Sequence, residues 1–293
     1  MSHPAARRAL LALIAASFLF GATFVVIKSA LDDIDPIDFV AWRFLIGAVA
    51  AMLIAFPKGR GIWRDGAITG LALFSGYALQ TTGLAATSAS NSALITGMYV
   101  VLTPLIAAAL SRKPPNPWVI TAAAASFAGI YLLSDTEGLT LSRGDLLTLG
   151  CAFAFAFHII ALARYAPRHP IVPYTAVQLA VTAALAFPLS ALTGGIELPT
   201  APVWPALLLT GLGVGIGAFL LQIWAQTVVG PGTAAVILAA EPAFGVATAW
   251  VVLGERLDAA GWAGTALVVF AIFLVVTRQT EETSTAEAVT TAH

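Results

Sequence analysis

Apolar residues run through this chain in long blocks, and short polar clusters interrupt them. No charged residue and no histidine occurs from Gly66 to Ser111 or from Leu198 to Ala240. A helix crosses the hydrocarbon of a bilayer in about 20 residues, so each of these runs is too long for one crossing and must turn back. Turn chemistry marks the place: Thr87-Ser88-Ala89-Ser90-Asn91-Ser92 in the first run, Gly230-Pro231-Gly232 in the second. The same punctuation along the whole chain predicts ten transmembrane helices, at about 8–30, 36–56, 66–86, 91–111, 116–134, 145–165, 170–193, 202–226, 232–253 and 258–277. The fold class is therefore an all-α membrane protein.

The two uncharged runs hold matching places in the two halves. Each carries a helical hairpin followed by a helix with an internal proline, Pro104 in the first and Pro242 in the second. A proline inside a span frees a carbonyl and bends the helix, which marks both as candidate hinges. Five crossings is an odd number, so a second five-helix unit enters from the opposite face. The expected organisation is two inverted repeats around a central cavity, residues 8–137 and 138–277, followed by a disordered polar tail at 278–293.

Charge sets the direction. With the N-terminus in the cytoplasm, Arg7, Arg8, Lys58, Arg60, Arg64, Arg112, Lys113, Arg164, Arg168 and Arg278 all fall on the cytoplasmic side, and only Arg143 and Arg256 fall outside. Both termini are then cytoplasmic and the protein belongs to the inner (plasma) membrane. Arg7 and Arg8 before an apolar run mimic a secretion signal, but nine further apolar segments make the first one a retained span. Trp63, Trp118, Trp204 and Trp262 stand near helix ends, where an indole sits at the headgroups.

Only 10% of residues are charged and 59% are hydrophobic, against about 25% charged in soluble domains. The net charge of −1 points to no nucleic acid. There is no P-loop, no His-Glu-x-x-His and no Cys/His cluster, and Cys151 stands alone. The chain is not expected to be an enzyme or to hold a cofactor or metal, and a monomer suffices for it. The glycine run Gly211-Leu212-Gly213-Val214-Gly215-Ile216-Gly217 lies inside a span, where its two small-xxx-small frames suit close helix approach rather than nucleotide binding.

Gly21-Ala22-Thr23-Phe24 with Lys28, Arg43-Phe44, Thr103-Pro104, Glu241-Pro242 and Gly254-Glu255-Arg256, in this order and doubled arrangement, resemble the EamA family of the drug/metabolite transporter superfamily. The resemblance spans about residues 10–277. It implies ten spans, cytoplasmic termini, two EamA repeats about a central cavity, and export of small metabolites. The segment from Asn91 to Val101 is similar to the amino-acid and metabolite exporter branch, the bacterial aromatic amino-acid exporters among them. Phe20 departs from a tryptophan common in relatives, Ser111-Arg112-Lys113 replaces a Gly-Glu, and Pro104 sits a turn out of register with Pro242.

Polar groups in hydrocarbon are costly, so those inside spans are candidate pathway residues. They are Trp42, Tyr77, Gln80, Thr96, Tyr99, His158, Gln178, Gln222 and Trp224. Gln222 and Gln226 are four apart and share a helix face, with Trp224 off it. Such a lining suits neutral or zwitterionic solutes with apolar side chains, and its rings suit aromatic ones. The alternative role for each is interhelical hydrogen bonding. Glu241, the one acid deep inside a span, is a candidate for proton coupling, and His158 is a second. Either can instead be a bonded structural group. Lys28 and Arg43 are expected to pair with Asp32, Asp35 or Asp38, the alternative being a substrate carboxylate. Phe153 and Phe157 share a face, expected to pack in the core or against lipid rather than line a cavity, and Phe155 points elsewhere. The function implied is a secondary transporter exporting small organic metabolites, amino acids foremost, with protons as a candidate partner. The alternatives are an intramembrane enzyme on lipid-linked substrates and a non-transporting assembly subunit.

Overall fold

A computed structural model describes residues 3–84, 86, 95–133, 142–253 and 259–291. All regular structure among the described residues is helical. The first predicted segment becomes α1 (His3–Ala22) and α2 (Phe24–Ala30), and the second becomes α3 (Pro36–Ile54). The third is α4 (Arg60–Leu84), and the fourth is a turn at 95–97 followed by α5 (Tyr99–Ser111). Next come α6 (Pro117–Leu133), α7 (Arg143–Tyr165) and α8 (Ile171–Thr193). The eighth segment is composite: a 3-10 turn (Ala201–Val203), α9 (Trp204–Leu208), a π-helix (Leu209–Ala218) and α10 (Phe219–Gln226). The ninth is split into α11 (Pro231–Leu238) and α12 (Glu241–Leu253), and the last is α13 (Ala259–Thr291).

Among the described residues six stretches are long and apolar enough to cross a membrane: Pro4–Ala22, Pro36–Ile54, Arg143–Arg168, Ile171–Thr193, Ala201–Gln226 and Ala259–Arg278. Shorter apolar helices cover Ile95–Ser111 and Pro117–Leu132. Helix α4 has 25 residues, and Gln80, Thr81 and Thr82 dilute its apolar character. Trp63, Trp204 and Trp262 are exposed near helix ends, as are Leu53 and Ile54, which suits side chains facing lipid and headgroups.

Local chemistry explains several boundaries. Asp35 caps α3 by accepting from the Ile37 amide at 2.8 Å, ahead of Pro36 in the first turn. Ser142 and Asp145 form a reciprocal capping box at the start of α7. α1 ends where the Thr23 hydroxyl donates back to the Leu19 and Phe20 carbonyls. α13 runs on through the polar tail to Thr291. Gln279, Glu281, Glu282, Ala286 and Glu287 are good helix formers added to a helix already nucleated in the apolar segment. The turn at Thr87–Ser92 and the Gly254-Glu255-Arg256 motif lie outside the described residues.

The helices pack by a swap rule. α3 packs on α8 and α6 on α13; α4 packs on α7 and α8, while α1 and α3 pack on the composite eighth segment. Each of these contacts has a counterpart with the halves exchanged. Gly129 shows this most directly. A Cβ there would meet the Gly264 carbonyl at 2.7 Å, and the two glycines hold corresponding places in α6 and α13. Likewise Phe39, Ala48 and Ala51 on α3 correspond, at one constant sequence offset, to Tyr174, Ala183 and Ala186 on α8, and all six are buried. Lipid supplies no hydrophobic drive between helices, so such close contacts of small residues hold the bundle together. In the glycine run one frame is used. Gly211 would meet the Arg43 carbonyl at 2.9 Å and Ile46 at 3.0 Å, and Gly215 lies near Gly47, whereas Gly213 and Gly217 meet only distant leucine tips.

Candidate functional site

The middle of the bundle is built from rings supplied by both halves. Phe20 of α1 meets Phe219 of α10 at 5.2 Å between centroids, and Phe219 meets Phe44 of α3 at 6.3 Å. Phe44 meets Tyr77 of α4 at 5.1 Å, and Tyr77 meets Phe155 of α7 at 5.5 Å. Edge-on pairs of this kind contribute about 0.5–1.5 kcal/mol each beyond area burial. Phe155 points inward while Phe153 and Phe157 are exposed, matching the expected split of that face.

Arg43 lies in this ring cluster, only 5% exposed. Its guanidinium stands over Phe44 at 4.9 Å and Tyr77 at 5.0 Å, and Nη2 donates to the Tyr77 hydroxyl at 3.4 Å. No ion pair of Arg43 occurs among the described residues. The expected pairing with the aspartates at the head of α3 fails for a geometric reason. Asp38 turns toward α8 and accepts from the Ser190 hydroxyl at 2.6 Å, Asp35 caps its own helix, and Arg43 projects from a deeper turn. The side chain of Lys28 lies outside the described residues. Glu241, half-buried, opens α12 just past the break at Ala239 and Ala240, where freed helix amides favour an anion. Its charge acts on Tyr77, Tyr99 and Cys151, and Arg43 acts on it.

The remaining candidates divide. His158 of α7 and Gln178 of α8 form a buried pair, Nε2 to Oε1 at 3.0 Å, with the His158 ring 6.2 Å from Phe219. The Gln178 amide nitrogen has no hydrogen-bond partner among the described residues. Gln222 donates to Gln226 at 3.1 Å, and Gln226 donates to the Ile159 carbonyl at 2.8 Å, so this predicted shared face ties α10 to α7. Thr96 lies 3.9 Å from Cys151. Tyr99 is buried in the largest apolar core, and Trp224 packs against that core. Gln80 is half-buried on α4. Trp42 is remote from the centre, because its indole donates to the Glu197 carbonyl at 2.9 Å and its ring meets Phe187 at 5.2 Å. There it adjoins a cleft of about 120 Å³ lined by Asp35, Asp38, Ser190 and Glu197 among others.

At the opposite end of the bundle Asp65 gathers His169 at 2.8 Å, Arg64 at 3.0 Å and Arg168 at 3.9 Å. Burial pushes the Asp65 carboxyl up, but the hydrogen bonds and charges of His169 and Arg64 outweigh it and hold the carboxyl below its usual range. Of the hinge candidates, Pro104 lies inside α5, close to Gly232 of α11, and Thr103 donates to the Tyr99 carbonyl at 2.7 Å. Pro242 is the second residue of α12, directly after the helix break. The fourth segment breaks at Met98 in the corresponding way.

Phe20, Phe44, Phe155 and Phe219 are the members of the central ring cluster that spacing alone missed, since a phenylalanine in an apolar span carries no polar signal. The structure also gives Arg43 a central place that sequence reading assigned to the rim.

The model of the EamA-like transporter family matches residues 7–135 and again 142–277. A protein of Archaeoglobus fulgidus described as an uncharacterized transporter is 32% identical over 269 residues, covering 92% of this chain and 85% of its own. The uncharacterized transporter YwfM of Bacillus subtilis is 29% identical over 284 residues, covering 93% of this chain and 95% of its own. A solved structure at 22% identity superposes with a TM-score of 0.76 over 91% of this chain and 95% of its own, which shows a shared fold.

Proposed function

Because the chain belongs to the EamA-like transporter family, with one family unit in each half, we propose that it is a secondary transporter exporting small organic metabolites, amino acids and aromatic ones foremost. One observation carries this reading: a buried arginine without a carboxylate partner among the described residues, set in a ring cluster drawn from both halves, with a lone glutamate within its field. A buried cation that no carboxylate contacts is unfavourable, and a planar guanidinium matches a carboxylate bidentately. A zwitterionic amino acid supplies what is missing. Its carboxylate takes Arg43, its ammonium faces Glu241, and its side chain packs on Phe44, Tyr77 and Phe155.

In this reading the chain makes ten crossings as two inverted repeats, with both termini in the cytoplasm, in the inner membrane. The packing swap between halves supports that organisation. Access alternates as α5 and α12 bend at the breaks beside Met98 and before Pro242. The chemistry is translocation rather than bond cleavage, and protons are the candidate coupling ion through Glu241. Purified protein in proteoliposomes should take up labelled phenylalanine saturably, faster with a pH gradient imposed. Uptake equal to protein-free liposomes for phenylalanine and for a panel of other amino acids sinks the proposal.

A further inference from the structure

Resting on the reading that the solute carries a carboxylate, we infer that Gln178 with His158 forms a second carboxylate-binding subsite, met before Arg43 by a solute arriving from the cytoplasm. The first observation is the side chain itself. Gln178 is 0% exposed, and its Oε1 accepts from His158 Nε2, yet its amide nitrogen meets no acceptor among the described residues. Buried donors in native structures are almost always satisfied, and an orphan one calls for an explanation. His158 fixes the amide, so its NH2 end is presented as a pair of donors suited to a carboxylate.

The second observation is the place of Gln178 in the fold. The offset that relates Phe39 to Tyr174, Ala48 to Ala183 and Ala51 to Ala186 also relates Arg43 to Gln178. Each stands about two turns into its helix, α3 for Arg43 and α8 for Gln178. Under inversion of the halves they are the same position seen from opposite faces. Arg43 lies toward the Asp38 end of the bundle and Gln178 toward the Asp65 end. Phe219 and Phe44 bridge them, since His158 faces Phe219, Phe219 faces Phe44, and Arg43 lies over Phe44.

The third observation is how Gln178 is covered. The seam over it is the α4–α8 contact. Gly66 lies against Val177, Gly70 lies against the Gln178 carbonyl and Val181, and Thr182 donates to the Gly70 carbonyl at 3.3 Å. A seam of glycines parts without unthreading large side chains. Its rim is held by Asp65 and His169. A neutral amide holds a carboxylate less tightly than a guanidinium does, so the order from Gln178 to Arg43 is one of rising affinity along the export direction.

The test uses inside-out and right-side-out membrane vesicles with labelled phenylalanine. In Gln178→Met the half-saturating concentration rises about tenfold when the solute meets the cytoplasmic face and stays within about twofold at the outer face. In Arg43→Gln the larger change is at the outer face. An equal change at both faces in Gln178→Met, or none, overturns the subsite. Where Gln178→Met does not fold, Gln178→Glu serves: it keeps the acceptor for His158, replaces the donor end with an oxygen, and should show the same one-sided loss. Should the wild type carry no phenylalanine, the substrate reading fails and the subsite is judged by binding to the purified full chain. There 3-phenylpropionate, but not phenethylamine, raises the melting temperature of the wild type and of Arg43→Gln, and raises that of Gln178→Met far less. No stabilisation of the wild type by the carboxylate overturns the subsite independently of transport.

Discussion

Asp65 Oδ2 lies 2.8 Å from His169 Nε2, which ties the first turns of α4 to the turn ahead of α8. Arg64 and Arg168 face the same carboxylate, and the His169 ring stacks on Tyr174 at 5.5 Å. The carboxyl is held below the ordinary aspartate value of 3.8. A carboxyl with a lowered folded value stabilises fully above its unfolded value and loses that contribution as pH falls through the folded one. Melting of the detergent-solubilised chain should therefore drop on acidification below about pH 4. Asp65→Asn should lower stability at neutral pH by about 1–3 kcal/mol and flatten the acid limb. An acid limb unchanged in Asp65→Asn contradicts this assignment.

Close packing in the π-helix gives a contrast within four residues. A Cβ at Gly211 would meet the Arg43 carbonyl at 2.9 Å and Ile46 at 3.0 Å, whereas at Gly213 it would meet only the Leu209 tip at 3.8 Å. Gly211→Ala should destabilise by about 1–3 kcal/mol through overpacking. Gly213→Ala should be neutral or slightly stabilising, since alanine is the better helix former. Thermal unfolding of the two variants side by side decides it, and equal effects contradict the packing described.

In the proposed organisation two inverted five-crossing halves place both ends of the chain on one face. With Cys151 changed to alanine, single cysteines introduced at position 2 and at position 290 should both react with a membrane-impermeant thiol reagent in inside-out vesicles. Neither should react in intact cells. Reaction of the two on opposite faces contradicts the ten-crossing organisation.

In the proposed function Glu241 exchanges a proton with the solute's ammonium. In Glu241→Gln, transport should persist as exchange of labelled for unlabelled solute, while its dependence on pH is lost. A pH profile identical to that of the wild type removes Glu241 from coupling.

Much of the architecture was legible because hydrocarbon is an unforgiving solvent. The lengths of α3, α6, α7 and α8 follow from apolar runs closed by Pro, Gly and charge, and their expected ends fall within two or three residues of those observed. Pro242 marks the break at Ala239 in the sequence, whereas the breaks at Thr23 and Met98 carry no such mark; at Thr23 the hydroxyl bonds back to the Leu19 and Phe20 carbonyls. Site residues with polar signals were half-legible. The pairing of His158 with Gln178 needed the tertiary approach of α7 and α8. Trp42 looked like a cavity ring but is drawn to the rim by Glu197, which lies far away in sequence. Arg43 looked like a rim charge because aspartates cluster nearby in sequence, yet Asp38 is taken by Ser190.

The most direct test is saturable uptake of labelled phenylalanine by proteoliposomes holding the wild type, Arg43→Gln or Arg43→Lys. The wild type should transport, and 3-phenylpropionate should compete better than phenethylamine. Arg43→Gln should lose at least tenfold in uptake, and Arg43→Lys should recover little, because an ammonium cannot reproduce the planar contact with Phe44 and Tyr77. Wild-type rates in a folded Arg43→Gln protein, or competition by the amine alone, would contradict a carboxylate held at the centre of the bundle.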